Sequence, residues 1–366
     1  MKRSAFHIQT LIYSLGLLCA MAALLLFPKE ASGAVVQSLH VCGTLLLPSL
    51  FPFFVCVNLF LTLRLTSLPA RLLSRVMVRL FHLPEQCASA LVLGLLGGYP
   101  AGAHAAGQLL AQDEISPAVC THLVRFCNNA GPGFIFGVAG VGIFGSIKLG
   151  ALLYLIHALC AVLCGMLLRP AAPILCAART HAPQTSRAPQ SFAVAFTASV
   201  RTAGQTALQV CMFVVVFGVL SRFLQQLLPT QTPDSVRVLL GGMLELGNGA
   251  SLLREAALSF PARFAMAAFL LGFGGISVWA QTASLFPSPA GLRGYFGAKL
   301  LHGALSAAAA LLAQRLLSLD ALCAPAFSAT VPVQAACLLS PLLVTLYSFF
   351  AIFRNLMAGN LRAKGV

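Results

Sequence analysis

Charged residues are scarce in this sequence. Only 8% of its 366 residues are charged, whereas a soluble globular domain carries about 25%. Apolar residues make up 59%, and apolar runs such as Leu149 to Leu168 and Val331 to Phe353 reach the roughly 20 residues that cross a bilayer core. We therefore predict an all-α, polytopic membrane helix bundle and exclude a soluble domain.

Motifs of the common enzyme and metal-site classes are also missing. The twelve cysteines include no Cys-x-x-Cys pair, and the sequence has no His-x-x-x-His, Walker loop, nucleophile elbow or metalloprotease helix. Cys120, His122 and Cys127 lie close in sequence, but helical spacing does not place them on one face. We predict no enzymatic activity, no metal site and no cofactor.

The basic excess has a membrane explanation. The net charge is +15, yet the basic residues lie mostly at the ends of apolar runs or between them, as the positive-inside rule predicts for cytoplasmic segments. Arg71, Arg75 and Arg79 recur at helical spacing among leucines and predict an interfacial amphipathic helix. We expect contact with membrane lipid and no nucleic-acid binding.

Several apolar segments are interrupted by glycine and proline. Non-helical backbone survives at membrane depth only where protein covers it or water reaches it. We predict broken or re-entrant helices at 97–102, 128–133, 245–249 and 272–277, each next to a cavity. The residues expected to break these helices are Gly98, Pro100, Gly102, Gly131, Pro132, Gly274 and Gly275.

The interruptions occur in matching order in two parts of the chain. Leu95 to Gly98 resembles Leu239 to Gly242, and a leucine-rich His157 segment resembles the one around His302. Paired interruptions of this kind are typical of transporters with an inverted repeat. We predict a transmembrane helix at 1–33, a membrane repeat at 34–170, a basic cytoplasmic linker at 171–190, a second repeat at 191–320, and a final transmembrane helix with a basic tail at 321–366.

Glu245 is an acid inside an apolar segment. A carboxylate at membrane depth is costly and is by default a hypothesis of function. We expect Glu245 to bind solute or a coupling proton or cation; the alternative is a structural role, in which it caps a half-helix or pairs with Arg201 or Arg125.

Amide and hydroxyl side chains flank two other interruptions. Asn128 and Asn129 lie beside the second, and Ser277 and Gln281 share a helical face after the last. We expect these four to bind solute, with exposed half-helix N-termini attracting an anion. The alternative is that the amides only satisfy the broken backbone.

Three motifs resemble those of the sporulation integral membrane proteins of the YlbJ type, which carry nucleoside-recognition (Gate) domains. They are Gly97-Gly98-Tyr99-Pro100-Ala101-Gly102-Ala103, Phe126-Cys127-Asn128-Asn129-Ala130-Gly131-Pro132 and Phe273-Gly274-Gly275-Ile276-Ser277-Val278. The resemblance implies an integral membrane protein of the outer forespore membrane, derived from the mother cell. It also implies transport of dipicolinic acid, a small aromatic anion, during endospore formation.

The same domain is similar to parts of concentrative nucleoside transporters. That similarity implies hairpin-like elements at Gly97–Gly102 and Gly272–Ser277, and a broken helix holding Glu245 and Asn248. We expect Asn248 to bind solute beside Glu245. The Gln-Thr-Glu run of those transporters is missing from the first interruption. Nucleoside transport and a non-transporting scaffold for cortex formation remain alternatives, and homo-oligomerisation remains open.

Overall fold

The computed structural model describes residues 2–63, 65, 67–174, 191–286 and 292–317. These ranges are helical, with π-helical segments at Cys42–Leu46, Met77–Phe81 and Gly133–Ile143. The predicted linker beyond residue 174 and the predicted final span at 321–366 lie outside the described residues. The α-helices are α1 (Lys2–Leu26), α2 (Pro28–Val41), α3 (Leu47–Thr62), α4 (Ser67–Val76), α5 (Cys87–Gly97), α6 (Ala101–Ala111), α7 (Pro117–Cys127), α8 (Ile147–Leu167), α9 (Phe192–Leu227), α10 (Asp234–Leu244), α11 (Leu246–Glu255), α12 (Phe260–Phe273), α13 (Ile276–Ala283) and α14 (Tyr295–Leu316).

The length and apolarity of these helices confirm an integral membrane protein. Four segments of the described chain are long and apolar enough to cross a membrane: α8, α9, α12 with α13, and α14. A fifth candidate is the pair of α1 and α2, bent by 94° at its break. The bend lies at Phe27, whereas the predicted boundary of the first helix was after residue 33. A new helix begins at Pro28, because proline suits the first helical turn, where its missing N–H costs nothing.

Serine caps fix where three of the helices begin. The Ser116 hydroxyl accepts a hydrogen bond from Val119 N at 3.3 Å, and Ser146 and Ser191 accept equivalent bonds from Leu149 N and Val194 N. Each bond satisfies one of the backbone donors that the first helical turn leaves free. The serines therefore set the starts of α7, α8 and α9.

The first predicted interruption is a helical hairpin. Helices α5 and α6 lie side by side, and a Cβ at Gly102 would lie 3.0 Å from the Gly94 Cα. The chain reverses at Gly98, whose φ of 78° is in the region that favours glycine. Gly102 itself lies inside α6 rather than in the break, because its missing side chain serves the close approach of the two helices.

The second half contains a matching hairpin, and its position corrects an expectation. Helices α10 and α11 pack against each other with Gly242 against Gly249, so Glu245 lies at a hairpin turn. The Gly274–Gly275 interruption, where φ is 83° and 91°, instead separates α12 from α13 along one broken helix. The nucleoside-transporter similarity had implied the reverse arrangement. Glycine patterns locate a break but do not fix the direction of the chain after it.

Each hairpin turn contacts the broken helix that follows it. A Cβ at Gly98 would lie 2.8 Å from Gly131 N, in the break after α7. A Cβ at Gly275 would lie 3.3 Å from the Gly242 and Leu244 carbonyl oxygens, at the end of α10. Because glycine has no side chain, the two backbones can approach each other closely at these positions, where neither segment is helical.

The described elements follow the same order in the two parts of the chain. Helix α3, hairpin α5–α6, the break after α7 and helix α8 correspond to α9, hairpin α10–α11, the break after α12 and helix α14. Helix α3 packs on α9, and α8 packs on α14. The order of elements is the one that two repeated halves predict, while the residue boundaries assigned to the domains remain predictions.

We predict that Gly94→Ala destabilises the protein, whereas Gly33→Ala does not. A Cβ at Gly94 would overlap the Cys127 carbonyl oxygen, whereas a Cβ at Gly33 in α2 has no heavy atom within 4 Å. Overpacking costs about 1–3 kcal/mol, and Gly to Ala in an open helical position stabilises by roughly 0.5–1 kcal/mol. Thermal unfolding of the two purified variants in detergent measures the difference. Equal melting temperatures would contradict the close packing of α5, α6 and α7.

Candidate solute-binding site

Asn128 joins four elements at the first broken helix. Its Nδ2 donates to Thr282 Oγ1 in α13 at 2.9 Å and to Tyr295 OH in α14 at 2.8 Å. Its Oδ1 accepts from Ala103 N, in the first turn of α6, at 3.4 Å. The side chain is completely buried. The amide therefore caps one half-helix of the first half of the chain and binds two hydroxyls of the second.

Lys299, in α14, is buried beside Asn128. Its side chain is only 1% exposed, and Nζ donates to the Asn128 carbonyl oxygen at 2.6 Å. Nζ also lies 3.2 Å from His302 Nδ1 and 5.2 Å from the centre of the Tyr99 ring. These partners are a carbonyl, an imidazole nitrogen and an aromatic face, and all three are neutral acceptors for a cation.

No carboxylate among the described residues forms an ion pair with Lys299. The ion pair in the described ranges joins Arg254 to Glu255 at 3.5 Å, and both side chains are largely exposed. A buried charge is ordinarily paired, because removing an isolated ion from water is costly. A Lys299 ammonium would therefore have no ionic partner in the described part of the protein.

Two histidines extend this polar group. His302 Nε2 lies 3.0 Å from the His157 carbonyl oxygen, and the two imidazole rings are 4.6 Å apart. His157 Nε2 accepts a hydrogen bond from Ala130 N at 3.1 Å. The neighbours therefore favour one tautomer of each ring: His302 donates through Nε2 and accepts through Nδ1, while His157 carries its proton on Nδ1.

Polar atoms near the same break have no partner among the described residues. Asn129 donates to Phe126 O at 2.9 Å, but its Oδ1 is buried and unpaired, as are His157 Nδ1 and Ser306 Oγ. Buried polar atoms are nearly always hydrogen-bonded. These atoms therefore lack the partners that buried polar atoms usually have. We call Tyr99, Asn128, Asn129, His157, Thr282, Tyr295, Lys299 and His302 the lysine cluster.

Glu245 has the structural role that the alternative interpretation described. Its Oε1 accepts from Gly247 N at 2.9 Å and its Oε2 from Asn248 N at 2.6 Å, so the carboxylate caps α11. Of the two forms of that alternative, the structure shows the cap and not the pairing with Arg201 or Arg125. Arg201 is exposed, and Arg125 donates to the Arg293 carbonyl oxygen. First-turn amides stabilise a carboxylate through direct hydrogen bonds and the helix dipole.

The cap also corrects the expected role of exposed half-helix N-termini. At the start of α11 the anion is supplied by Glu245 itself, and at the start of α6 the Asn128 side chain occupies Ala103 N. A solute anion at these two ends would have to replace an existing partner. Lys299 is instead a buried basic side chain next to the first break.

The structure divides the six predicted site residues among three places. Asn128 and Asn129 belong to the lysine cluster. Asn248 accompanies Glu245, and its Nδ2 is buried and unpaired near Gly218 of α9. Ser277 and Gln281 bond to each other at 3.1 Å within α13, where the neighbouring Thr282 makes the contact with Asn128.

Lys299 is the main residue that sequence reasoning missed. It lies in α14, which qualifies as a membrane span, so the argument applied to Glu245 also applies to this lysine. Tyr99, Thr282 and Tyr295 carried no comparable signal, because hydroxyls are common in membrane helices. His157 and His302, which belong to the matching segments of the two halves, are both buried in the cluster.

Comparison with curated proteins finds a relative along most of the chain. The sporulation integral membrane protein YlbJ of Bacillus subtilis (strain 168) is 28% identical over 338 residues, which cover 82% of this chain and 81% of that protein. This similarity supports a YlbJ-type assignment. This confirms the family expected from the three motifs, while the nucleoside-recognition domain remains a prediction. No protein-family model and no solved structure matches the chain.

We predict that Glu245→Ala lowers stability more than Glu255→Ala. The first change leaves two backbone donors of α11 without acceptors, and losing a cap costs about 0.5–2 kcal/mol. Glu255 is the matched control, because its carboxylate is exposed and such surface ion pairs contribute about 0–1 kcal/mol. Thermal unfolding in detergent measures both variants. An unchanged melting temperature for Glu245→Ala would contradict the capping role.

Proposed function

We propose that this YlbJ-type protein transports a small anionic aromatic solute, dipicolinic acid, across a membrane during endospore formation. The solute site is the lysine cluster, between the two halves of the chain. The membrane would be the outer forespore membrane, and the solute would move from the mother cell toward the forespore. The name of the Bacillus subtilis relative supports the link to sporulation.

The observation on which the proposal rests is the burial of Lys299 without an ionic partner among the described residues. A solute carboxylate would supply the counter-charge, and in a dry site such a charge-assisted bond is stronger than one between neutral groups. The aromatic rings of Tyr99, Tyr295 and the two histidines surround the same place and suit a flat ring. A neutral nucleoside would supply no counter-charge for a Lys299 ammonium.

The surrounding backbone favours transport over a purely structural role. The cluster lies where the turn of hairpin α5–α6 contacts the break after α7, and Tyr99 reaches across to the Leu271 carbonyl oxygen of α12 at 3.1 Å. Broken helices and hairpins at such an interface are the elements that rearrange in transporters with repeats. The proposal includes no enzymatic step and no cofactor.

We predict that Lys299→Met abolishes saturable uptake of labelled dipicolinate into vesicles containing the purified protein. Methionine preserves most of the side-chain length but removes the charge that attracts the carboxylate. Lys148→Met is the matched control, since Lys148 is exposed near the start of α8 and its variant should transport like the unmodified protein. A labelled nucleoside serves as the second solute.

Each outcome of this comparison decides between the functions. Dipicolinate uptake that is lost only in Lys299→Met supports the proposal. Uptake of the nucleoside instead would assign the protein to nucleoside transport. Transport of neither solute by the unmodified protein would favour a scaffold for cortex formation, for which Glu245→Gln and Asn129→Ala should leave sporulation intact.

A further inference from the structure

The groups around Lys299 are neutral on every side that the described helices cover. The turn between α5 and α6 contributes the Tyr99 ring, α7 contributes the Cys127 thiol, and α8 contributes His157 and Cys164. Tyr295 and His302 lie on α14 itself. The charged residue of α12, Arg263, lies at the opposite end of that helix and donates to the Ala256 and Leu258 carbonyl oxygens.

In such surroundings the protonated and the neutral form of a lysine amine differ greatly in the free energy of burial. The ammonium needs a counter-charge when it is removed from water, whereas the neutral amine does not. A carboxylate placed against the nitrogen stabilises the ammonium, and the ammonium in turn stabilises the bound carboxylate. Binding of the anion and binding of the proton must therefore strengthen each other, by the reciprocity that holds for any two linked ligands.

We infer that the lysine cluster binds one proton together with each dipicolinate anion, and that the proton resides on Lys299 Nζ. This inference rests on the proposed function and adds the coupled ion to it. In the step, the neutral amine takes a proton from solvent, no covalent bond of the solute breaks, and the ammonium pairs with one carboxylate. The solute therefore crosses the membrane with a proton.

Glu245 is a poorer carrier of this proton than Lys299. Both of its carboxylate oxygens accept hydrogen bonds from backbone N–H groups of α11. Protonation would place the carboxyl O–H against one of these backbone N–H groups and weaken the cap.

The two histidines are also occupied at the nitrogens that could accept a proton. Ala130 N–H donates to His157 Nε2, and the Lys299 amine lies 3.2 Å from His302 Nδ1. A second proton on either ring would place its N–H against another donor, which is Ala130 N–H for His157 and the Lys299 amine for His302. The histidines therefore act as positioning residues that hold the lysine and the break at residues 128–130.

Calorimetric titration with dipicolinate tests the inference on the purified full chain. The titration is repeated at each pH in two buffers of different ionisation enthalpy, so that the difference in heat gives the protons taken up per solute. We expect the uptake to approach about one proton in the pH range where the empty amine is neutral. The apparent Kd should weaken tenfold for each unit of rising pH in that range.

Variants assign the proton to a residue. Lys299→Arg keeps a permanent positive charge, so it should bind dipicolinate without proton uptake. His302→Asn keeps an acceptor for the lysine but cannot titrate, so any dipicolinate that this variant still binds should arrive with a proton. Thermal unfolding identifies any variant that fails to fold, and the unmodified protein alone still decides whether a proton is bound.

The outcomes separate the two proposals. Dipicolinate binding without proton uptake by the unmodified protein would overturn this inference and leave the proposed function standing. Loss of proton uptake in a folded His302→Asn variant that still binds dipicolinate would move the proton to the histidine and overturn the assignment to Lys299. No binding at any pH would overturn both proposals.

Discussion

The hydrogen bond from Lys299 to the Asn128 carbonyl oxygen, 2.6 Å long, connects the charge of α14 to the break in the other half of the chain. The end of α7 leaves carbonyl groups without helical partners, and a lysine that reaches such a carbonyl complements the negative end of the helix. The same break allows the Asn128 side chain to bind α6, α13 and α14. One interruption of one helix therefore organises the centre of the protein.

Close backbone packing makes this arrangement possible. Gly94 and Gly102 both approach the Cys127 carbonyl oxygen, and Gly98 meets Gly131. Larger side chains at these positions would separate the hairpin from the broken helix and displace Asn128 from its partners. In a membrane, where lipid provides no hydrophobic drive between helices, small residues of this kind are the usual basis of association. The second half uses the same device at Gly242 and Gly249.

The sequence was sufficient to predict the membrane class and the positions of the breaks, because composition and glycine or proline content act locally. The path of the chain after each break depends on packing with distant helices, so Glu245 was placed in a broken helix rather than at a hairpin turn. The same limit applies to the site. Asn128 and Asn129 were predicted from their position beside a break. Ser277 and Gln281 instead bond to each other, and the neighbouring Thr282 contacts Asn128. Lys299 could have been predicted, since a charged residue inside a membrane span is unusual in either sign.

The most direct test of the central claim is an experimental structure of the protein with bound dipicolinate. The proposed site predicts a carboxylate oxygen at about 2.7–2.9 Å from Lys299 Nζ, with the aromatic ring of the solute near Tyr99 and Tyr295. Density for dipicolinate at the turn between α10 and α11, or at any place where Lys299 does not contact it, would contradict the account.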